Sequence, residues 1–300
     1  MKIAPWVLAY PNLTEIESGQ YHLMLNASTV NNIQISCDDT LVDTKSTPDK
    51  YCFMLDLANV DTSSILYDDH DQISIDQITS NTARLRPLSY RHHVRFYKSL
   101  DVQNTVKMGM SAENNNISER NLDTLRNQLS KAGLPHEPNS DIAPCKFGIS
   151  CLILEKNEEM NTRALITIRS KKMTYYPNTR HSSFSGGVEI QDIQNNDLSL
   201  SGVLKNAASR ECKEELGLDI DNNQINILGI WRDLERCSAQ AFAYIFVEEL
   251  DQLTIQINRE VASFRYEKIR KHFFERLFQR HDNTPELNFL LSKLPITLEK

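Results

Sequence analysis

At 300 residues, with 40% hydrophobic and 24% charged residues of mixed sign, the chain can bury a sizeable core and is neither fibrous nor wholly disordered. It exceeds a typical single domain, so two domains are expected. A net charge of -7 argues against a long non-specific nucleic-acid footprint, which needs surplus Lys and Arg to neutralise phosphates, but it leaves room for a local basic pocket and a nucleotide ligand.

The opening stretch, 1–10, is a short apolar run broken by Pro5 and followed by Pro11, too short for a signal-peptide core or a membrane span. No later stretch reaches spanning length, so a cytoplasmic protein without membrane partners is the simplest expectation. The six cysteines, Cys37, Cys52, Cys145, Cys151, Cys212 and Cys237, include no Cys-x-x-Cys pair. They support neither a zinc site nor a disulfide framework and read as buried, reduced thiols.

Residues 1–115 alternate β-branched and aromatic runs with Asn, Asp, Ser and Thr clusters, which predicts strands over 21–25, 33–37, 51–57 and 92–97. No chemical motif stands in this half. The stretch Arg91-His92-His93-Val94-Arg95-Phe96-Tyr97-Lys98 is basic and aromatic, which suits a phosphate or a base; a solvated strand face with a buried side is the expected reading. A helix follows, with Ser118 as N-cap, Leu122, Leu125 and Leu129 as its apolar stripe, and Gly133 and Pro135 as its stop. The segment 135–141 reads as a linker, dividing the chain into an α+β domain over 1–140 and a second domain over 141–300.

The second domain opens with two β-rich runs, 147–154 and 164–169, separated by a polar turn and expected to pair antiparallel. Gly186-Gly187 marks a bend where backbone comes close to another group. A polar loop over 192–201 leads into a helix over 203–216, closed by Gly217. Strands are predicted at 225–232 and 241–248, and late helices around 266–280 and 285–294.

The informative segment is Arg210-Glu211-Cys212-Lys213-Glu214-Glu215-Leu216-Gly217-Leu218. On a helix, Glu211 and Glu215 stand at i and i+4 with Glu214 at i+3, so three carboxylates share one side. Three like charges repel unless something positive sits among them, and glutamates are hard oxygen ligands suited to Mg²⁺ or Mn²⁺. Arg210 can pair with one of them. Ala207, Ala208, Cys212 and Leu216 form a compact apolar face for packing on a sheet. The bland alternative is a solvated helix surface.

The segment resembles the Nudix box, G-x5-E-x7-R-E-U-x-E-E-x-G-U with U apolar, whose latter part matches from Arg210 to Leu218. The resemblance covers roughly residues 145–300 and implies a Nudix-type α/β/α sandwich with a mixed sheet, preceded by the α+β domain. Counted back from Arg210, the first glutamate of the box falls on Gly202 and the leading glycine on Asn196. A Gly-Gly-Val-Glu segment lies further upstream at Gly186-Gly187-Val188-Glu189, which points to a loop insertion over 192–201 and makes Glu189 a candidate substitute.

By resemblance, Glu211, Glu214 and Glu215, with the Gly187 carbonyl, would bind Mg²⁺ or Mn²⁺, and the ions would orient a diphosphate and activate a water. Arg210 would assist; Glu260 is the preferred general base, with Glu267 and Glu248 as alternatives. Arg169, Lys171 and Arg180, near Lys172, Tyr175, Tyr176 and His181, would form a cationic and aromatic rim that joins Gly186 and Gly187 in binding substrate; an exposed loop with ordinary tyrosines is the alternative. Trp231-Arg232-Asp233 reads as a pocket wall or as strand packing. The implied activity is hydrolysis of the pyrophosphate bond in a nucleoside diphosphate linked to another moiety. The rival is a catalytically reduced nucleotide-sensing module acting through residues 1–140. An isopentenyl diphosphate isomerase ranks last, since no convincing Cys motif appears. A homodimer stays open.

Overall fold

The structure, a computed structural model, describes residues 21–38, 72–102, 105–108, 118–121, 124–131, 143–155, 162–173, 176–193, 199–269 and 282–294. In chain order these residues form β1 (Tyr21–Asn26), α1 (Ala27–Val30), β2 (Gln34–Cys37), β3 (Gln72–Ile78), β4 (Thr82–Leu88), α2 (Tyr90–Ser99), β5 (Thr105–Met108), β6 (Ser118–Asn121), α3 (Leu125–Lys131) and β7 (Phe147–Glu155). There follow β8 (Arg163–Arg169), β9 (Arg180–His181), β10 (Phe184–Gly187), α4 (Ile190–Ile193), α5 (Leu200–Leu216), β11 (Ile225–Asp233), β12 (Ser238–Val247), β13 (Val261–Lys268) and α6 (Pro285–Lys293). Two compact units result, each drawn from separated stretches of chain.

The first unit comprises Met1–His22, Ile35–Lys146 and Arg232–Ala239. It is an α+β unit with a three-stranded sheet in the order β2-β4-β3 and a separate antiparallel pair, β5 with β6. Residues before β7 extend the β3 edge: Ile75 N–H donates to the Cys145 carbonyl at 3.0 Å, and Cys145 N–H donates to Ser74 Oγ at 3.0 Å. Buried Arg126 donates to Asp101 and to the carbonyls of Leu234 and Glu235, at 2.8, 3.1 and 3.0 Å, which holds the 232–239 turn in this unit.

Two sequence expectations are corrected in this unit. The run 92–97 is part of a helix, α2, and not a strand. Ser89 caps it by accepting the His92 N–H at 3.2 Å, and buried His93, Phe96 and the following Leu100 recur at helical spacing, as do Tyr90 and Val94, so capping and burial outweigh the aromatic content. Ser118 opens strand β6 and is not an N-cap; the helix is shorter, Leu125–Lys131, with Leu125 and Leu129 buried as its i,i+4 stripe. The expected strand over 51–57, the Gly133–Pro135 stop and the 135–141 linker lie outside the described residues.

The second unit comprises Leu23–Gln34, Phe147–Trp231 and Gln240–Lys300. It is built on an eight-stranded sheet with the path β1-β11-β12-β7-β8-β13, β10 pairing with β7 and β9 with β8. The expected β7–β8 pairing is antiparallel, Leu154 facing Ala164. All nine residues of β7 are buried, the signature of a strand covered on both faces. Consecutive residues of β10 show what covers them: Gly186 abuts Glu211 of α5, while Ser185 reaches His181, which in turn meets the N-cap of α6. Helices thus stand on opposite faces, giving the mixed α/β sandwich. Trp231, Phe242 and Phe289 form the aromatic part of the core, with Trp231 edge-on to the other two at 5.6 and 5.1 Å. Trp231 is therefore packing, and Arg232 and Asp233 belong to the first unit.

The helix expected around 266–280 gives way, over its described part, to strand β13. Phe264 and Tyr266 lie two apart with ring centroids 5.7 Å from each other, a period-two face paired to β8. Five cysteines are described, all free thiols, and all but Cys37 are buried. Among the described residues no helix is long and apolar enough to cross a membrane.

Candidate functional site

Helix α5 begins three residues earlier than expected because Ser199 caps it, its hydroxyl accepting the Gly202 N–H at 3.0 Å. It ends at Gly217, whose φ of 70° places it in the left-handed region that glycine tolerates. Ala207, Ala208, Cys212 and Leu216 are fully buried against the sheet. The three glutamates are not equivalent: Glu211 and Glu215 are 7% and 5% exposed, whereas the Glu214 side chain is half exposed.

Gly186 is where backbone and carboxylate meet. A Cβ built there would stand 1.8 Å from Glu211 Oε1, so any side chain displaces Glu211. We expect Gly186→Ala to keep the fold, because Glu211 can swing, and to weaken Mn²⁺ binding by roughly 10-fold or more, as for loss of a ligand-orienting neighbour. A Mn²⁺ titration alongside a thermal melt checks this; unchanged affinity would refute the role given to Glu211.

Arg210 uses all five of its donors. Nε and Nη2 grip the Asp192 carboxylate at 3.0 Å each, and Nη2 also donates to the Gly187 carbonyl at 2.7 Å. Nη1 donates to Glu211 Oε1 at 2.8 Å and Glu214 Oε2 at 3.2 Å, with Glu189 at 3.6 Å. Such a bidentate fork fixes the guanidinium strongly.

Asp192, in the segment that the sequence predicts as a polar loop, is the partner of Arg210 that sequence reasoning does not reach. It follows Gly186 by six positions, the spacing of the leading glycine and first glutamate of the box, but seventeen residues instead of seven separate it from Arg210. The structure shows it buried on α4, with its Oδ2 also accepting the Glu189 N–H at 2.8 Å. Asp192 thus stands, counted from Gly186, where the box has its first glutamate, while Gly202 lies in the first turn of α5.

Electrostatics follow from this crowding. Burial, with Glu214 and Glu189 nearby, pushes the Glu211 carboxyl up to about 7, against the pull of Arg210. Glu215 is driven well above the ordinary carboxylate range by burial first, then by Glu211 and Glu260; the Ser185 N–H and Arg169 oppose this. Six carboxylates, from Glu189, Asp192, Glu211, Glu214, Glu215 and Glu260, thus share the neighbourhood of two guanidinium groups, Arg210 and Arg169.

Of the expected site residues, Arg210, Glu211, Glu214, Glu215, Gly186 and Gly187 come together, with Glu260 and Arg169 acting on Glu215. Lys171 is exposed on the turn after β8. Arg180 is buried and engaged, donating to Asn283 Oδ1 at 2.7 Å and to Glu267. His181 is buried too, and Tyr175 lies outside the described residues.

Among the described residues no three His, Cys, Asp or Glu side chains converge as a metal-holding group. The oxygens expected to ligate, Gly187 O, Glu211 Oε1 and Glu214 Oε2, are those on which Arg210 sits. Their hard-oxygen chemistry and the surplus of carboxylates over cations around them nonetheless fit a divalent cation such as Mg²⁺.

A mixed α/β sandwich whose Gly-Gly strand abuts an Arg-Glu-x-x-Glu-Glu-x-Gly helix is what the resemblance to the Nudix box implies. Several solved structures are similar to about half of this chain. A Nudix hydrolase from Alicyclobacillus acidocaldarius is 10% identical at TM-score 0.39, over 49% of this chain and 90% of that one. The Nudix domain of NrtR from Shewanella oneidensis, complexed with ADP ribose, is 12% identical at TM-score 0.35, over 50% and 86%. An Ap4A hydrolase from C. elegans is 17% identical at TM-score 0.32, over 49% and 93%. No family model matches the chain, and no curated protein matches it.

Proposed function

We propose that the second unit is a Mg²⁺- or Mn²⁺-dependent hydrolase that cleaves the pyrophosphate bond of a nucleoside diphosphate linked to another moiety. The observation that carries it is the pair of buried carboxylates, Glu211 and Glu215, with half-exposed Glu214 on the same helix and the Gly187 carbonyl beside them, and with more carboxylates than cations around them. When bound, the metal neutralises the diphosphate and lowers the pKa of an attacking water. Glu211, Glu214 and Glu215 with the Gly187 carbonyl would hold it, with Arg210 keeping its Asp192 fork and giving up its contacts with Glu211, Glu214 and the Gly187 carbonyl. Glu260, half-buried and close enough for its charge to act on Glu215, takes the proton from the water. Arg169 and Lys171 meet the phosphates at the end of β8. Arg180, held by Asn283 and Glu267, has a structural part and leaves the substrate-binding set.

Nucleotide sugars, dinucleotides and nucleoside triphosphates incubated with the protein and Mg²⁺, Mn²⁺ or EDTA test this. We expect one class to release a nucleotide in a metal-dependent manner, and Glu214→Gln to lower the rate by at least roughly 100-fold, the scale of losing one group that stabilises charge at a reacting centre. Undiminished turnover in that variant would sink the site. Nucleotide binding without turnover would instead assign a sensing module, with its output in residues 1–140.

A further inference from the structure

We infer that His181 is a positioning residue for the Glu215 carboxylate, acting through Ser185. The inference rests on the metal-dependent reading of the same site. His181 is 4% exposed, and its strand is clamped on two sides. β9 pairs with β8, Thr167 facing His181, while Arg180 N–H donates to the Asp282 carbonyl at 2.7 Å and Thr284 N–H to the Arg180 carbonyl at 2.8 Å. From this fixed base the imidazole spans two hydroxyls. Nδ1 lies 2.7 Å from Thr284 Oγ1 and Nε2 lies 2.6 Å from Ser185 Oγ. A neutral imidazole donates from one nitrogen and accepts at the other, and a hydroxyl can take either part, so the ring is fully matched without a charge.

Both ends of this bridge are tied to elements of consequence. Thr284 is the N-cap of α6, its hydroxyl oxygen accepting the Leu287 N–H at 3.3 Å. Ser185 immediately precedes Gly186-Gly187, and its backbone N–H donates to Glu215 Oε1 at 3.3 Å. Since Gly186 abuts Glu211 of α5, Ser185 presents its hydroxyl to the opposite face of β10, where His181 receives it. The bridge therefore braces β10 from behind while the strand's N–H holds a carboxylate in front. Partners one step removed from a metal typically set its affinity by 10- to 100-fold.

The probe is Mn²⁺ alone, titrated by electron paramagnetic resonance into the full chain, with a thermal melt of every variant. Asparagine ends near the position of Nδ1 and glutamine near that of Nε2, so the pair separates the Ser185 contact from mere filling of the core. We expect His181→Leu, His181→Asn and Ser185→Ala to bind Mn²⁺ about 10- to 100-fold more weakly, and His181→Gln to stay close to wild type. If the leucine variant does not fold, the two amide variants decide. Equal affinity of His181→Asn and His181→Gln overturns the inference while the metal reading stands. A wild-type chain that takes up no Mn²⁺ overturns the metal reading, and this inference with it.

Discussion

Glu215→Gln is expected to abolish divalent-metal binding and, in the same protein, to raise the thermal stability of the metal-free state at about pH 8. Both effects have one cause. Glu215 is buried, meets the Ser185 N–H from β10, and faces Glu211 on its own helix and Glu260 from the loop before β13; Arg169 at the end of β8 gives partial relief. Its folded pKa is raised, so the folded protein holds a proton that the unfolded chain has already released. Stability is then highest at low pH and falls as pH rises from the ordinary carboxylate value through the folded one. Glu211 adds a loss of the same sign between its ordinary 4.5 and about 7, worth at most about 3 kcal/mol. Glutamine cannot ionise, which removes the Glu215 part of the slope. Mg²⁺ should stabilise wild type at pH 8 and leave the variant unmoved. Melting both proteins at about pH 5 and pH 8, with EDTA or Mg²⁺, reads all of this. A variant that melts below wild type in EDTA at pH 8 would show that the Glu215 charge is not under strain, and would remove the argument for a cation there.

That cluster was legible in the sequence because three glutamates and an arginine fall within six residues of one helix, where local geometry alone brings them together. The apolar face of α5 and its glycine stop were readable for the same reason. Asp192 was not: its partnership with Arg210 spans an insertion, and counting back along the chain lands on Gly202, which has no side chain to offer. Counting forward from Gly186 finds it, so the signal existed but was tied to the strand and not to the helix. The misreadings of α2 and β13 share another cause. Short aromatic, charged runs such as 92–97 and 266–268 carry no decisive period, and the outcome rests on a cap at Ser89 in one case and on pairing with β8 in the other. His181 looked like a member of an exposed rim because nothing local announces Thr284, more than a hundred residues away, as its partner.

A fragment restricted to residues 141–300 is expected to lose cooperative folding, because the second unit takes a strand, a helical turn and part of its core from residues 23–34. β1 flanks β11 at one end of the sheet path, and the approach is close: a Cβ on Gly229 would stand 2.6 Å from the Leu25 carbonyl. Val30 and Ile33 are fully buried, so their removal exposes apolar surface that no residue of the fragment replaces. The same segment secures the start of the site helix, since Leu200 N–H donates to the Ile33 carbonyl at 2.9 Å and Gln34 bridges Ser199, the N-cap residue. Its loss leaves an open strand edge on β11 and frees the first turn of α5 at once. Within the full chain, Ile33→Ala should cost about 2–5 kcal/mol, the usual range for deleting a buried isoleucine side chain. Joining residues 21–38 to the fragment through a flexible linker should restore a cooperative melt and Mn²⁺ binding together. If the bare fragment melts as sharply as the joined one and binds Mn²⁺ equally well, β1 is an ornament to the sheet, and the site helix is held by the C-terminal stretch alone.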